Sequence, residues 1–116
     1  MKKILIVDDK WNIRNSLSIG LKRIGYNVDT VNSARTALLN LAQKSYDILL
    51  TDLQMPETDG YHLANIVQQL HPNTKIILMS AYDFFEYQNR YEDIKNFKQL
   101  AKPFELMQLV NLINVS

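Results

Sequence analysis

Tyr46-Asp-Ile-Leu-Leu-Thr-Asp-Leu-Gln-Met-Pro-Glu-Thr-Asp-Gly60 is the stretch on which the reading of this chain turns. Ile48-Leu49-Leu50 is too apolar for a surface loop and too short for a helix, so it reads as a buried strand. That strand delivers a carboxylate, Asp52, to its C-terminal end, and a turn-rich loop with Pro56 and Asp59-Gly60 follows. In an α/β sheet, ligands and chemistry gather just beyond the carboxyl ends of the strands. A bland reading stands beside this one: Asp also starts turns and caps helices. Only the other strand ends can separate the two.

Outward from that strand, apolar runs and helical periodicity alternate. Ile4-Leu-Ile-Val7 is a continuous apolar run that ends in Asp8-Asp9. From Asn12 to Gly25, Ile13, Leu17, Leu21 and Ile24 share a helical face, with Gly25 as the stop. Asn27-Val-Asp-Thr-Val31 alternates like a half-exposed strand. Ser33 is placed to cap a second helix with Ala34, Ala37, Leu38 and Leu41 inward. After the central strand, Tyr61 to Leu70 presents Leu63, Ile66, Val67 and Leu70, and His71-Pro72-Asn73 breaks it. Lys75 to Ser80 is another solid strand that ends in a hydroxyl. Asp83 to Lys95 is expected to be a fourth helix, with Phe84, Tyr87, Tyr91 and Ile94 as its apolar positions. Phe97 to Ala101 makes a short half-polar strand closing at Lys102-Pro103, and Phe104 to Asn114 makes a last helix.

Strict strand–helix alternation predicts an α/β fold, a parallel sheet covered on both faces. Solid apolar strands belong at the centre of such a sheet and half-polar ones at its edges. With right-handed crossovers this gives the doubly wound, flavodoxin-like order 2-1-3-4-5, whose switch point lies between strands one and three. The 116 residues are read as one domain with a core large enough to need no staples. A net charge of +1 without a basic run argues against direct nucleic-acid binding. The absence of Cys removes disulfide, thiolate–zinc and redox readings. The first apolar run is too short for a signal peptide or membrane span, so a cytoplasmic home is expected. The pattern stops directly after the last helix, so any output domain is expected to be nonexistent or cut away.

Together the strand ends carry Asp8 and Asp9, Asp52, Ser80 and Lys102. Three carboxylates in one crevice should raise at least one pKa unless a cation is present. A hard cation with oxygen ligands resolves that repulsion, and Mg²⁺ suits a site offering a few carboxylates beside waters and a phosphate oxygen. Lys102 adds a mobile positive point charge and Ser80 a hydroxyl donor. The set resembles a cradle for a phosphoryl group beside a carboxylate nucleophile, Asp52, already ionised at neutral pH and needing no general base.

Asp8-Asp9, Asp52 with Leu53-Gln-Met-Pro56, Asp59-Gly60, Ser80-Ala81 and Lys102-Pro103-Phe104 also occur in order and at strand ends, and the chain resembles the receiver domain of two-component response regulators from end to end. The resemblance implies that Asp52 is the phosphoacceptor, fed by a sensor histidine kinase or a histidine phosphotransfer protein. It implies Mg²⁺ held directly by Asp9, largely through water by Asp8, and by Asp52 and the Gln54 backbone carbonyl. Ser80 and Lys102 would bind the phosphoryl group, and Lys102-Pro103 would be cis. It implies a signalling domain rather than an enzyme, one that assists only its own phosphorylation and dephosphorylation. Two alternatives remain open: a phosphorylation-independent interaction module, and a Mg²⁺-dependent phosphatase with an aspartyl nucleophile. Against the latter, Gln54 stands where such enzymes place a second Asp.

Gln99 occupies the position three before the lysine where many receivers carry an aromatic switch. The aromatic richness of Phe84, Phe85, Tyr87 and Tyr91 marks the face formed by the fourth helix, the fifth strand and the last helix as a surface for a second copy or a downstream partner. Tyr82 is expected to screen the acceptor from water and lengthen the phosphoform's life. His62 and His71 are read as ordinary surface residues, since no partner with metal-ligand spacing accompanies them. Trp11 is read as packing on its helix, with a place beside the site or on a kinase-docking helix as the alternative.

Overall fold

In the computed structural model, which describes residues 2–81 and 84–115, the apolar runs become a parallel sheet. Its strands are β1 (Lys3–Val7), β2 (Asn27–Val31), β3 (Ile48–Asp52), β4 (Lys75–Ser80) and β5 (Lys98–Ala101), in the order β2-β1-β3-β4-β5. The helices are α1 (Trp11–Ile24), α2 (Ala34–Gln43), α3 (Gly60–Leu70), α4 (Phe84–Arg90) and α5 (Leu106–Asn114), with a 3₁₀ turn at Glu92–Asn96. Every residue of β3 is buried, whereas β2 and β5 are buried only in part, which is why they sit at the edges.

Strand alternation splits the core into two layers. Ile4, Ile6, Ile48, Leu50, Ile77 and Met79 face α1 and α5 through Leu21, Leu109, Val110 and Ile113. Leu5, Val7, Leu49, Ile76 and Leu78 face α2, α3 and the 3₁₀ turn through Leu41, Leu63, Val67 and Ile94. Helix ends follow the local signals. Gly25 adopts φ 115°, the left-handed region open to glycine, while its N–H and that of Tyr26 donate to Lys22 and Leu21 carbonyls. Ser33 accepts the Thr36 N–H at 3.2 Å, capping α2 as its sequence position predicts.

Three packing expectations need correction. Ile24, Ile66 and Leu70 are exposed, because each lies at the margin of its helix's apolar stripe and the sheet reaches only the centre of that stripe. Trp11 opens α1 with 64% of its surface exposed, so most of it is left unpacked. The single helix expected over Asp83–Lys95 is two elements: α4 ends at Arg90, and Tyr91 is extended at φ −129°, ψ 97° before the 3₁₀ turn begins. Its expected first residue, Asp83, lies outside the described residues, as does Tyr82.

Candidate phosphoacceptor site

Register assembles the site. Val7 pairs with Thr51, so Asp8, one residue on, comes abreast of Asp52; Asp52 pairs with Met79, and Ser80 with Ala101. Lys102 follows two residues beyond Leu100, on the same side of the sheet as Asp52. The Lys102 N–H donates to the Ser80 carbonyl at 2.7 Å, carrying the β5 ladder one step past the strand. The peptide Lys102–Pro103 is cis, as expected.

Asp8 and Asp52 are buried, at 0% and 2% exposure, while Asp9 faces solvent. Oxygens of Asp8, Asp9 and Asp52 come within 4.8 Å of one another. Lys102 Nζ lies 2.9 Å from Asp8 Oδ2 and 3.4 Å from Asp52 Oδ1, with only 11% of its side chain exposed. The lysine is thus pinned between two buried carboxylates instead of reaching out as a mobile charge. Burial pushes the Asp52 carboxyl above the usual carboxylate range, and the Asp8 charge adds to that push; Lys102, and more weakly Lys10, pull against it. The rise anticipated from mutual repulsion is therefore present, with desolvation as its leading cause.

The bland reading does not describe Asp52 and describes Asp8 only in part. Asp59, not Asp52, caps α3, accepting the His62 N–H at 3.0 Å. Asp8 Oδ1 accepts the Lys10 N–H at 2.9 Å, yet α1 has Lys10 as its own N-cap residue, without a side-chain cap. The backbone carbonyl of Asp8 accepts from Arg14 Nη1 at 2.7 Å, which ties α1 to the end of β1. Ser80 is fully buried at the end of β4, and Gln54 stands in the loop after β3. A cleft of about 380 Å³ opens beside Asp9, lined by Asn32, Ser33, Arg35, Met55 and Thr58.

Two features lay beyond the sequence reading. A Cβ built on Gly60 would fall 2.3 Å from the Asp52 carbonyl oxygen, so the first turn of α3 leans directly on the acceptor's backbone. Its only sequence signal is Asp59-Gly60, which reads as a turn. His62, expected to be a surface residue without a partner at metal-ligand spacing, is exposed, and it also pairs with Asp59 at 2.7 Å and meets Tyr61 and Tyr91 edge-on. That arrangement joins a loop to a helix more than twenty residues away and leaves no periodic trace.

The donor set is oxygen only, convergent and partly buried, which fits a hard divalent cation of the Mg²⁺ type. The fold and the site define a class: doubly wound single-sheet domains with an acidic crevice at the β1/β3 switch point. The response regulator receiver domain family matches residues 4–114, and the chain belongs to that family. It is 33% identical over 113 residues to the response regulator receiver protein CpdR of Brucella abortus, covering 97% of this chain and 94% of that protein. It is 36% identical to the regulatory protein AtoC of Escherichia coli, covering 97% of this chain but 24% of that longer protein. Among solved structures, the response regulator TrrA of Thermotoga maritima, in complex with Mg²⁺-BeF, superposes with a TM-score of 0.86 at 31% identity, over 97% of this chain and 96% of that one. The chemotaxis response regulator CheY4 of Vibrio cholerae superposes with a TM-score of 0.86 at 26% identity, over 97% and 98% of the two chains. Among the described residues, no helix is long and apolar enough to cross a membrane.

Proposed function

We propose that this chain accepts a phosphoryl group on Asp52 from the phosphohistidine of a sensor histidine kinase or histidine phosphotransfer protein, in a Mg²⁺-dependent reaction. The observation that carries this reading is the pinned lysine: Lys102 lies within 3.4 Å of Asp52 and 2.9 Å of Asp8, a fixed cation beside a buried nucleophile. An Asp52 carboxylate oxygen attacks phosphorus in line, the new O–P bond forms as the P–N bond breaks, and the histidine leaves with the electron pair. Lys102 pairs with the arriving phosphoryl oxygens, and the Ser80 hydroxyl donates to one of them. Once Asp52 is ionised no general base is needed; Lys102 and Lys10 favour that form, while burial and the Asp8 charge oppose it and leave the net shift upward. Asp9, Asp52, the Gln54 backbone carbonyl and, largely through water, Asp8 would hold Mg²⁺, which when bound supplies charge neutralisation for the phosphoryl oxygens. The cleft beside Asp9 gives a donor room to approach.

That TrrA, to which this chain is similar, forms a complex with Mg²⁺-BeF supports reading the acidic cluster here as a Mg²⁺ site beside a phosphoacceptor. We read residues 1–116 as one receiver domain; its coupling to an output is left to the native product, since the chain spans most of CpdR but a quarter of AtoC. The surface expected to change on phosphorylation is the α4–β5–α5 face, where Phe85 and Met107 are exposed, toward a second copy or a downstream partner.

Intact mass after incubation with Mg²⁺ and acetyl phosphate tests the reading. Wild type should gain one phosphoryl group, and neither Asp52→Asn nor a Mg²⁺-free sample should. Should acetyl phosphate leave wild type unmodified, a phosphorylated histidine kinase is the second donor. Failure with both would reject the proposal in favour of a phosphorylation-independent interaction module.

A further inference from the structure

Gln99 does not point a ring at the site. Its side-chain Nε2 donates to the Ile94 carbonyl at 3.1 Å, so it tethers the 3₁₀ turn to β5. The contacts that join the acceptor loop to this region run elsewhere. Leu53 N–H donates to the Met79 carbonyl at 2.7 Å and Gly60 N–H to the Leu53 carbonyl at 2.8 Å, closing the loop at both ends. Gly60 abuts the Asp52 carbonyl so closely that no Cβ fits. The adjacent Asp59 accepts a hydrogen bond from the Tyr91 hydroxyl at 3.2 Å, the residue between α4 and the 3₁₀ turn. Tyr91 stacks on Tyr61 with ring centroids 3.9 Å apart and planes 12° apart, and Tyr61 in turn donates to Asp93 at 2.5 Å. Tyr87 and Tyr91 are linked by one helical hydrogen bond, Tyr91 N–H to the Tyr87 carbonyl at 2.7 Å.

Granted the phosphoacceptor role proposed above, we infer that the state of Asp52 is passed to α4 and the 3₁₀ turn through the β3–α3 loop, by the Asp59–Tyr91 hydrogen bond and the Tyr61–Tyr91 stack, with residue 99 acting only as a tether. The path is contiguous: acceptor backbone, Gly60, Asp59, Tyr91. Phosphorylation adds negative charge and three acceptor oxygens at Asp52, drawing Lys102 and the surrounding backbone into a new arrangement. With glycine in van der Waals contact behind it, the Asp52 carbonyl cannot shift without moving the start of α3. Asp59 then moves relative to Tyr91, and α4 is the element able to answer, since it has no buried residue of its own.

Amide ¹H–¹⁵N spectra of the full chain would be recorded before and after phosphorylation with acetyl phosphate and Mg²⁺, or with a phosphorylated kinase if that donor is required. Samples are wild type, Tyr91→Phe, Tyr61→Phe/Tyr91→Phe and Gln99→Ala, with intact mass confirming the phosphoryl group in each. Wild type and Gln99→Ala should show phosphorylation-dependent shifts across residues 84–96. Tyr91→Phe, which keeps the stacked ring and removes only the hydroxyl, should lose part of them. The double variant should lose most, while shifts at residues 8–10 and 102 persist. Undiminished shifts in the Tyr variants, or their loss in Gln99→Ala, would overturn the inference. If the double variant fails to fold, the partial loss in Tyr91→Phe, or its absence, decides. A phosphorylated wild type silent over residues 84–96 refutes this route and leaves the acceptor role standing, whereas a wild type that takes no phosphoryl group refutes the acceptor role itself.

Discussion

Asp52 is held in opposing fields: burial and the Asp8 charge disfavour its ionised form, and Lys102 and Lys10 favour it, with the net shift upward. A raised folded-state pKa means that the native state binds the proton more tightly than the unfolded chain does. The corresponding stabilisation is fully present below the ordinary carboxylate pKa of 3.8 and is lost as pH rises through the elevated folded value. At neutral pH, the ionised acceptor therefore opposes folding. Asp52→Asn should unfold at a higher temperature than wild type in Mg²⁺-free buffer at pH 7, and thermal melts across pH should show that gap closing on acidification. A gap independent of pH would mean that packing, not ionisation, distinguishes the two. Gly60 makes a second case at this scale. Gly60→Ala must displace backbone to seat its Cβ against the Asp52 carbonyl, so urea titration should show a loss of about 1–3 kcal/mol, and phosphorylation by acetyl phosphate should slow. Asp8, Asp9, Asp52, Ser80 and Lys102 were legible in the sequence because each terminates an apolar run or a β-like segment. Gly60's contact was not, because an Asp-Gly pair announces a turn and says nothing of what lies behind it.

Among the elements, α4 is built differently from its neighbours. α3 buries Gly60, Leu63, Ala64 and Val67, and α5 buries Leu109, Val110 and Ile113. In α4, Phe84 and Tyr87 are only partly buried against the core, Phe85 is 64% exposed, and no residue is buried. Few buried contacts mean a low free energy of local opening. Hydrogen exchange should therefore proceed fastest in α4 among the helices, through local opening, while β3 and β4 amides exchange only with global unfolding. Protection in α4 equal to that in α3 would show that the Tyr91 contacts stabilise it as firmly as a buried stripe would. The break at Tyr91 also explains where the periodic reading ended. Phe84, Tyr87, Tyr91 and Ile94 keep helical spacing, and all four do meet the core. Yet Tyr91 leaves the helical conformation while stacked on Tyr61 and bonded to Asp59. A contact spanning some thirty residues outweighed a local preference worth tenths of a kcal/mol per residue. The caps at Ser33 and Gly25, which depend on neighbours in sequence alone, were readable beforehand.

For the whole molecule, the strand order could be read because burial grades outward from β3, and composition records that grade: solid Ile/Leu/Val runs in β1, β3 and β4, polar residues in β2 and β5. The same order brings the ends of β1 and β3 side by side, so the acidic crevice is a product of the assembled sheet and of no single element. A ligand held there binds the folded chain and not the unfolded one. Stabilisation should then follow mass action, reaching about 2.7 kcal/mol when free Mg²⁺ exceeds its dissociation constant a hundredfold. Thermal or urea unfolding of wild type should move to higher midpoints with added Mg²⁺ along that logarithmic course. Asp9→Asn offers the cleanest comparison, because Asp9 is exposed and its removal disturbs neither core layer. It should melt as wild type does without Mg²⁺ and respond much less when Mg²⁺ is added. Lys102→Met should move the opposite way on binding. It removes the cation already paired with Asp8 and Asp52, leaving buried carboxylates uncompensated and the metal-free fold less stable by about 3–5 kcal/mol, so that Mg²⁺ restores a larger share of stability than in wild type. Equal Mg²⁺ responses in all three proteins would place the ion outside this crevice.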